Sequence, residues 1–394
     1  MRIGRTVPPA AAPLAWADVW HGVAGALRPE AAIRALETDL RRDFRVRDVF
    51  TVSSGTAALT LALKALRSLS PRRDVVIPAF TCFSVPAAVI AADLRPVLCD
   101  IDPGTFDFDH ARLAQTLNGD TLCVVAHHLF GVPAAIDRIR AACRLHGAFV
   151  LEDAAQAMGV EVGGRRLGTL GDVGIFSLGR GKNITCGSGG IVVTNNLRIG
   201  AALAGEHVHL RPPSPFEQLA EFVRVVMMTI FIRPSLYWIP AALPWLGLGR
   251  TIFPKQIPLR RLAGMHAGLL SAWRRRLAES NRVRAATASY FSRRLAVRPT
   301  GGGVHPFLRL PIVAASTQEK SRLCRLAEKR GLGVSVGYPT PVNEIPELRS
   351  AFVGQRFPSA RRVADRLLTL PTHHWLSEHD KEAIADLCRD LHVA

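Results

Sequence analysis

A single lysine stands in a glycine-dense loop, within the segment SLGRGKNITCGSGG that spans residues 177–190. A lysine in such a loop, shortly before an apolar run, has three kinds of chemistry open to it. Lys182 can be the counter-charge of a phosphate, it can be solvated, or its amine can form a covalent bond. Which of these applies decides what reaction the protein performs.

The residues around Lys182 do not fit the common phosphate-binding loop. That loop follows the pattern G-x-x-x-x-G-K-[ST], with a serine or threonine directly after the lysine. Here Asn183 follows the lysine, and Phe176 occupies the position of the first glycine. The glycines that follow strand-like runs also fail the dinucleotide pattern G-x-G-x-x-G. A phosphate-loop nucleotidase or ATPase is therefore disfavoured.

The turn SSGTAAL is a second candidate site for a phosphate. Ser54, Gly55 and Thr56 come directly after an apolar run and before a helical pattern. Glycine allows the backbone to approach a ligand closely, and the free N–H groups of a helix N-terminus attract anions. Capping of the helix by the serine explains the same residues without a ligand. Both interpretations stay open at this point.

The segment VLEDAAQAMG places two polar side chains after a further apolar run. Asp153 ends the run, and Gln156 follows three residues later. A carboxylate buried at the end of a strand needs a cation or a protonated nitrogen as its partner. A helix cap or a structural ion pair is the alternative explanation for this acid.

All of these residues lie where an apolar run ends, and the runs alternate with helical patterns. Strand-like segments include DVVIPAF, TLCVVAHH, AFVLEDAA, VGIFSLG and GGIVVTN. This alternation predicts a doubly wound α/β domain with a mostly parallel sheet. Because ligands bind at the carboxyl ends of such strands, His128, Asp153 and Ser177 are candidate site residues.

The pattern changes near residue 260, and we predict a smaller α+β domain there. We assign residues 1–255 to the large domain and residues 256–394 to the smaller one. Residues 265–295 predict one long amphipathic helix with a basic face. After it we expect a strand at FLRLPIVA, a helix over 317–330, a strand at GVSVGY, and a closing helix from Ser377 to Leu391.

An apolar insertion, FVRVVMMTIFIRPSLYWIPAALPWLGLG, occupies residues 222–249. Arginines and prolines divide it into pieces shorter than the roughly 20 apolar residues that a membrane-crossing helix needs. We interpret it as a buried or dimer-packing insertion. Peripheral contact with a membrane is the alternative, because Tyr237, Trp238 and Trp245 stand beside arginines and suit a lipid headgroup zone.

Composition limits the partners and the compartment. The formal charge is +18, with 44 Arg and 6 Lys against 32 acidic residues, which favours anionic partners. The arginines are spread out and no nucleic-acid-binding signature is present, so nucleic acid is disfavoured. Seven cysteines without a C-x-x-C pair argue against a zinc site and a disulfide framework. We therefore expect no metal. We also expect a cytoplasmic location, since the N-terminal residues form no signal-peptide core.

Taken together, the candidate residues match a site for pyridoxal 5'-phosphate. Such a site needs a phosphate cradle, an acid that keeps the pyridine nitrogen protonated, and a lysine that forms a Schiff base. The turn at Gly55, the acid Asp153 and the amine of Lys182 supply these parts. Ser177 adds a second hydroxyl for the phosphate.

The sequence around these residues resembles the DegT/DnrJ/StrS family of sugar aminotransferases, which are pyridoxal phosphate enzymes of fold type I. The resemblance extends from about residue 33 to about residue 385, with the apolar insertion as its main interruption. It is carried by the segments VSSGTAAL, VIPAFT, LCDIDPGTFDFD, HHLFGVPAAID, HGAFVLEDAAQAMG, GTLGDVGIFSL, GKNITCGSGGIVVTN, GYPTPVNEIPEL and LPTHHWLS.

The resemblance implies a role for each candidate residue. Lys182 forms the Schiff base and moves the proton between the substrate carbon and the cofactor. Asp153 pairs with the pyridinium nitrogen, and Gln156 hydrogen-bonds the ring hydroxyl. His128 matches a family histidine near the site, although a structural role explains it nearly as well. The phosphate is held by Ser54, Gly55, Thr56 and Ser177.

The implied reaction is a ping-pong transfer of an amino group. Glutamate is the expected donor, a keto sugar carried on a nucleotide is the acceptor, and a homodimer holds the site at its subunit interface. Lys182 must be neutral to react, and we expect burial near Arg180 to lower its pKa. A dehydratase branch of the family has histidine in place of this lysine, so Lys182 favours transamination.

Three departures from the family pattern bear on the substrate, and one is the segment LGRG before Lys182, which replaces a stretch that typically contains an aromatic residue. Cys82 stands where the family usually has an aromatic residue that stacks on the cofactor ring, and Phe83, which comes next, is a candidate for the substrate site. Ser188 lies in the segment GSGG, residues 187–190, at the position where the family usually has an acid. These departures and the apolar insertion support an alternative, a catalytically silent family member with a regulatory or membrane-assembly role.

Overall fold

The computed structural model describes residues 2–12, 14–249, 251–297, 303 and 305–389. Its main feature is a sheet built from short apolar runs in the first 194 residues. The strands of this part are β1 (Asp48–Val52), β2 (Asp74–Pro78), β3 (Arg95–Cys99), β4 (Thr121–His127), β5 (Phe149–Asp153), β6 (Glu161–Val162), β7 (Arg165–Arg166), β8 (Val173–Ser177) and β9 (Gly190–Thr194).

In the described part of the chain, seven strands form the main sheet in the order β1-β9-β8-β5-β4-β2-β3. The neighbours from β8 to β3 pair in parallel, whereas β9 runs antiparallel to both β8 and β1. Strands β6 and β7 form a separate hairpin. The prediction of a mostly parallel sheet in an α/β fold is confirmed. Strands β2, β4 and β8 are buried along their whole length, as expected when helices cover both faces.

Helices connect these strands and cover the two faces of the sheet. The face that carries the side chains of Val125, Leu151 and Ile175 packs against the apolar residues of the helix that follows β1. The helices up to residue 208 are α1 (Trp16–Leu27), α2 (Pro29–Phe44), α3 (Gly55–Ser68), α4 (Ser84–Ala91), α5 (His110–Thr116), α6 (Ile136–His146) and α7 (Leu197–Val208).

The apolar insertion folds as two helices, α8 (Pro215–Phe231) and α9 (Pro234–Ala241), followed by a 3-10 turn (Pro244–Leu246). Pro234 begins the second helix, as the sequence predicted, whereas Pro240 lies inside that helix without dividing it. In α8 only Val225 and Thr229 are buried among its described side chains. Most of the insertion is therefore exposed or half-buried. No helix of the described residues has the length and apolarity needed to span a membrane.

The prediction of one long helix over residues 265–295 is wrong. The segment forms a short helix, α10 (Gly264–Leu269), and a longer one, α11 (Trp273–Arg294). The first helix has its C-cap at Leu270 (φ −99°, ψ 10°), and it packs tightly against α1, since a Cβ on Gly268 would lie 2.2 Å from the carbonyl oxygen of His21. The chain then turns into α11. The sequence periodicity does not report such a long-range contact.

The C-terminal part contains a two-stranded antiparallel sheet of β10 (Arg309–Val313) and β11 (Leu367–Pro371). The predicted helix over 317–330 is present as α12 (Thr317–Arg330), and α13 (Pro358–Arg366) precedes β11. The closing helix is α14 (Glu378–Leu387), shorter than predicted; residues 390–394 lie outside the described residues.

The predicted strand GVSVGY is not formed. In this segment Ser335 makes a single isolated bridge to Thr369, so the segment does not extend the sheet. Three positive-φ glycines, at 331, 333 and 337, interrupt the extended backbone there. Apolar residues between Val342 and Leu367 pack into the same core as the main sheet and α3. The division at residue 255 stays a prediction.

Candidate active site

The site lies at the carboxyl ends of β4, β5 and β8. Pairing of the strands aligns His127 with Asp153, and Asp153 with Ile175. Because side chains alternate along a strand, His127, Asp153 and Ser177 point to the same face of the sheet. That face carries α3, whose N-terminus begins at Gly55. The topology thus brings together residues from four separated segments of the chain.

The N-terminus of α3 and the end of β8 touch each other. A Cβ placed on Gly55 would lie 2.6 Å from both Cβ and Oγ of Ser177. Ser54 is the N-cap of the helix, and its Oγ accepts the Ala57 N–H at 3.0 Å. Among the described residues, the N–H groups of Gly55 and Thr56 have no recorded partner. These N–H groups, the helix dipole and the Ser177 hydroxyl form a cradle for an anion.

The loop that carries Lys182 is held from two sides. Gly181 adopts φ +75°, a left-handed conformation that favours glycine, and it turns the chain directly before the lysine. The Lys182 carbonyl oxygen accepts a hydrogen bond from Nη2 of Arg284 at 3.2 Å. The neighbouring Asn183 donates through Nδ2 to Oδ1 of Asn281 at 2.9 Å. Both anchors come from α11, so this helix fixes the backbone of the loop.

The Lys182 amine lies near Cys82 and Asp153. Within the described residues, its Nζ has no recorded hydrogen-bond or salt-bridge partner. Burial lowers the pKa of Lys182, and the neighbouring Cys82 and Asp153 oppose that effect. A lysine with a lowered pKa and no partner has a larger neutral fraction, and the neutral amine is the nucleophile.

The sequence-based explanation for this lowered pKa is wrong in one respect. Arg180 is exposed, and it is not among the groups that shift the pKa of Lys182. Desolvation of the amine is the dominant cause. The lowered pKa of Lys182 is therefore due to its burial and not to Arg180.

Asp153 has one oxygen engaged and one available. Its Oδ1 accepts the Ala155 N–H at 3.0 Å, which orients the carboxylate at the end of β5. Nothing in the described chain is recorded as a partner of Oδ2. The side chain is 4% exposed, and a carboxylate at that depth requires a cationic or protonated group opposite it. The free oxygen is where a protonated nitrogen of a ligand would bind.

Gln156 connects the sheet to the C-terminal part of the chain. Its Oε1 accepts the Phe130 N–H at 3.0 Å, and its Nε2 donates to the Tyr338 hydroxyl at 2.9 Å. One hydrogen of Nε2 is left for a ligand. The Tyr338 ring stacks on Phe130 with centroids 6.3 Å apart, and burial followed by the neighbouring Cys82 raises its pKa. Sequence reasoning missed this tyrosine, although it lies within GYPTPVNEIPEL, a segment that carried the resemblance.

His128 has both ring nitrogens occupied within the protein. Nδ1 accepts the Ala134 N–H at 3.1 Å, so Nε2 carries the proton and donates to Glu152 at 2.9 Å. Burial alone would raise the pKa of Glu152, but hydrogen bonds from His128, Gly168 and Gly171 outweigh it and lower the pKa. Both residues are fully buried on the face opposite Asp153. This geometry is that of a structural histidine.

The neighbouring His127 is the histidine that faces the site. It is 4% exposed, its Nδ1 lies 2.7 Å from the Thr81 hydroxyl, and burial lowers its pKa to about 4. Asp153 and Lys182 both act electrostatically on it. The sequence reasoning missed His127. The alternation of the strand was the available signal, since it assigns adjacent residues to opposite faces.

The family departures have clear places in the structure. Cys82 lies near Lys182 and Tyr338, and its Sγ is 2.9 Å from the Ser84 hydroxyl. Phe83 is 5% exposed and belongs to the core beneath the site, not to its surface. Ser188 donates its hydroxyl to the Ser53 carbonyl oxygen at 2.6 Å. This hydrogen bond connects the segment GSGG, residues 187–190, to the residue that follows β1.

The residues at this site fit pyridoxal phosphate and offer no metal site. The fit rests on three features: a helix N-terminus with free N–H groups, an unpartnered lysine amine, and a carboxylate with one free oxygen. The contact between Gly55 and Ser177 leaves no room for a side chain in the cradle. No cluster of ligating side chains suited to a metal ion occurs in the described ranges, and every cysteine is free.

Comparison with known proteins places these features in a wider context. Residues 24–209 and 259–389 match the profile of the DegT/DnrJ/EryC1/StrS aminotransferase family. The chain is 27% identical over 362 residues to a pleiotropic regulatory protein of Geobacillus stearothermophilus, covering 90% of this chain and 87% of that protein.

Another relative is the UDP-N-acetyl-3-dehydro-alpha-D-glucosamine 3-aminotransferase of Acidithiobacillus ferrooxidans. It is 35% identical over 177 residues, which is 45% of this chain and 48% of that protein. The solved structure of PseC from Helicobacter pylori, an aminotransferase, superposes with a TM-score of 0.77. At 17% identity over 97% of this chain and 98% of that one, this likeness shows the shared fold.

Proposed function

The chain belongs to the DegT/DnrJ/EryC1/StrS aminotransferase family, and we propose that it transfers an amino group from glutamate to a keto sugar linked to a nucleotide. The observation that carries the proposal is the unpartnered amine of Lys182 beside the Asp153 carboxylate and the cradle at Gly55. A nucleotide-linked acceptor is supported by the relative whose name specifies a UDP-linked dehydro sugar.

Pyridoxal phosphate is the cofactor in this proposal. When bound, it supplies an aldehyde that accepts amino groups and a ring that withdraws electrons from the bond being broken. The N–H groups of Gly55 and Thr56, with the hydroxyls of Ser54 and Ser177, hold its phosphate. Asp153 keeps the ring nitrogen protonated through Oδ2. Lys182 is the point of covalent attachment.

Lys182 also acts as the acid–base group of the reaction. Once the donor's amine has replaced Lys182 on the cofactor, the freed Nζ, neutral in a larger fraction because burial lowers its pKa, would take the proton from the α-carbon of the donor. The resulting ammonium would then give this proton to the cofactor carbon that bears the transferred nitrogen, and with the keto sugar the same group would move a proton in the opposite direction. Asp153 stabilises the ammonium electrostatically, consistent with its effect of raising the pKa of Lys182.

Other residues position these groups. Gln156 keeps Tyr338 and the segment around Phe130 in place, and its second Nε2 hydrogen is available to an oxygen of the cofactor ring. His127, neutral because burial lowers its pKa to about 4, packs beside the acid without competing for its free oxygen. We assign His128 a structural role, since Glu152 and Ala134 occupy its two nitrogens.

The assembly is part of the proposal. We propose a homodimer with residues 1–255 as the cofactor-binding domain and residues 256–394 as the smaller domain. The support for the dimer is the family resemblance together with exposed apolar side chains on α8. Among them, Phe216 is 79% exposed and Leu219 is 61% exposed. Contact of residues 222–249 with a membrane is the competing explanation for the same side chains.

The test is amine transfer with matched lysine variants. Purified protein loaded with pyridoxal phosphate is incubated with glutamate and a panel of nucleotide-linked keto sugars, and mass spectrometry detects the aminated product. We expect one or more sugars to gain an amine with the native protein, Lys182→Ala to abolish transfer, and the exposed-site control Lys255→Ala to retain it. Transfer that survives in Lys182→Ala would refute the assigned role.

A second candidate function is regulation without catalysis. The relative from Geobacillus stearothermophilus that aligns with most of the chain is named a pleiotropic regulatory protein. Cys82 and Ser188, at positions where the family usually has an aromatic residue and an acid, add to this possibility. Cofactor binding with no amine transfer to any sugar of the panel would favour it over the enzyme proposal.

A further inference from the structure

A cavity of about 650 Å³ lies between the insertion and the loop of Lys182. Its size falls within the ~300–1,000 Å³ range of small-molecule sites. Arg180 and Gly181, which directly precede the catalytic lysine, form one wall. Pro9 and Ala10 of the N-terminal segment and Arg309 of β10 also line it.

The opposite wall is mostly apolar and comes from residues 223–249, with Arg224, which pairs with Glu221, as the charged side chain among its described residues. Methionines contribute to it, and their flexible thioethers adapt to apolar groups of varied shape. No acidic side chain is among the described residues that line the cavity. The apolar lining residues include Met227, Met228 and Phe231.

The polar end of the cavity holds cations that have no acidic partner. Nε and Nη2 of Arg309 are buried and have no hydrogen-bond partner in the part of the chain that the structure describes. Burial lowers the pKa of Arg309 to about 10, and the hydroxyls of Tyr338 and Tyr237 oppose this. Arg180 also acts electrostatically on Tyr237, so Arg180, Arg309 and this tyrosine converge. Two buried guanidinium nitrogens without partners are costly unless an anion pairs with them.

The apolar wall of the cavity lies outside the segments that match the family profile. The family match stops at residue 209 and resumes at residue 259. Arg309 reaches toward both sides, because it interacts with Tyr237 of the insertion and with Tyr338 of the active site. The polar end of the cavity is therefore adjacent to the site where the reaction occurs.

We propose that this cavity is a binding site for an amphipathic anion that has one apolar chain and a phosphate or diphosphate head. The head lies against Arg309 and Arg180, and the chain lies along Met227 and the other apolar side chains of the insertion. Isoprenoid phosphates and single-chain lipid phosphates share this chemistry. The site does not depend on the proposed amine transfer.

The probe is farnesyl diphosphate, titrated calorimetrically into the full-length protein loaded with pyridoxal phosphate. Inorganic pyrophosphate supplies the head alone, and farnesol supplies the chain alone. We expect farnesyl diphosphate to bind at least about tenfold more tightly than either, since one contributes no buried apolar area and the other no charge. Dodecyl phosphate in a second series tests whether a single-chain lipid phosphate is accepted as well.

Variants separate the two ends of the site. Met227→Gln places a polar group on the chain wall and should weaken farnesyl diphosphate binding about tenfold. Leu219→Gln is the matched control, because it changes an exposed apolar side chain of the same helix outside the cavity. In the Arg309→Gln variant, farnesyl diphosphate should bind no more tightly than farnesol. Arg180→Gln, at an exposed residue, gives the same direction of change with little risk to folding.

Three outcomes would overturn the inference. Equal affinity for farnesyl diphosphate and pyrophosphate excludes a chain site. In a second outcome, free farnesyl diphosphate does not bind, and Met227→Gln and Leu219→Gln weaken binding to phosphatidylglycerol vesicles equally. The apolar residues then belong to a surface that contacts a membrane. A shift of the monomer–dimer equilibrium by Met227→Gln, again without probe binding, assigns them to a second copy of the chain. Amine transfer to nucleotide sugars is measured separately, so either proposal can fail alone.

Discussion

Substitution of Gly55 by alanine should weaken cofactor binding while leaving the fold intact. The added Cβ would lie 2.6 Å from both Cβ and Oγ of Ser177, closer than unstrained contacts allow. The Cβ of Ser177 is fixed to the backbone of β8, so rotating the hydroxyl away cannot relieve the contact. The N-terminus of α3 must move away from the end of the strand, and the cradle then opens.

The size of the effect follows from overpacking. Inserting one methyl group into a close-packed contact costs roughly 1–3 kcal/mol. If that strain is borne by the cradle, the dissociation constant of pyridoxal phosphate rises between about fivefold and about a hundredfold. The backbone of Gly55 has no positive φ, so alanine adds no conformational strain of its own.

The assay is a spectroscopic titration of apoprotein with pyridoxal phosphate, accompanied by thermal denaturation of the apoprotein. Gly205→Ala is the control, because this helical glycine is exposed and its new Cβ would meet nothing within 4 Å. We expect that variant to bind as the native protein does. In a Ser177→Gly background the two contacts at 2.6 Å are absent and only the Cα of residue 177 remains close, at 3.3 Å, so Gly55→Ala should have a smaller further effect. Undiminished affinity of Gly55→Ala in the native background would refute the cradle.

Two further predictions concern stability. Arg284 is fully buried and donates to Leu308, Ala11 and Lys182 carbonyls, so Arg284→Met should leave acceptors unpaired and lower stability by about 3 kcal/mol in denaturant titrations; an unchanged midpoint would contradict this. Burial lowers the pKa of His127 and His266 to about 4 and that of His373 to about 3. The unfolded chain protonates these residues near pH 6.5 and the folded chain does not, so the melting temperature should fall from pH 6.5 toward pH 4; a flat profile there would count against neutral buried histidines.

The large features of the fold were predictable because they depend on local patterns. Alternating apolar runs and helical patterns predicted the mostly parallel sheet, and the ends of the runs indicated where Asp153 and Ser177 lie. The periodicity did not predict the break between α10 and α11, nor the close approach of Gly268 in α10 to the backbone of His21. Residues 333–338 have strand-forming composition, yet glycines in left-handed conformations interrupt them.

The residues of the site could be predicted only in part, for the same physical reason. Lys182 and Asp153 are recognisable by type and by the sequence around them. The choice between His127 and His128 depends on which face of β4 each side chain takes, and this is fixed by pairing with β5. Tyr338 and Arg309 reach the site from the C-terminal part of the chain. No spacing along the sequence records such contacts.

The claim that Lys182 is the covalent anchor can be tested by a single measurement. The protein loaded with pyridoxal phosphate is reduced with borohydride, digested, and its peptides are sequenced by mass spectrometry. The account predicts that the cofactor is attached to the peptide that contains Lys182. Attachment instead to any of the other lysines would contradict it, these being Lys64, Lys255, Lys320, Lys329 and Lys381.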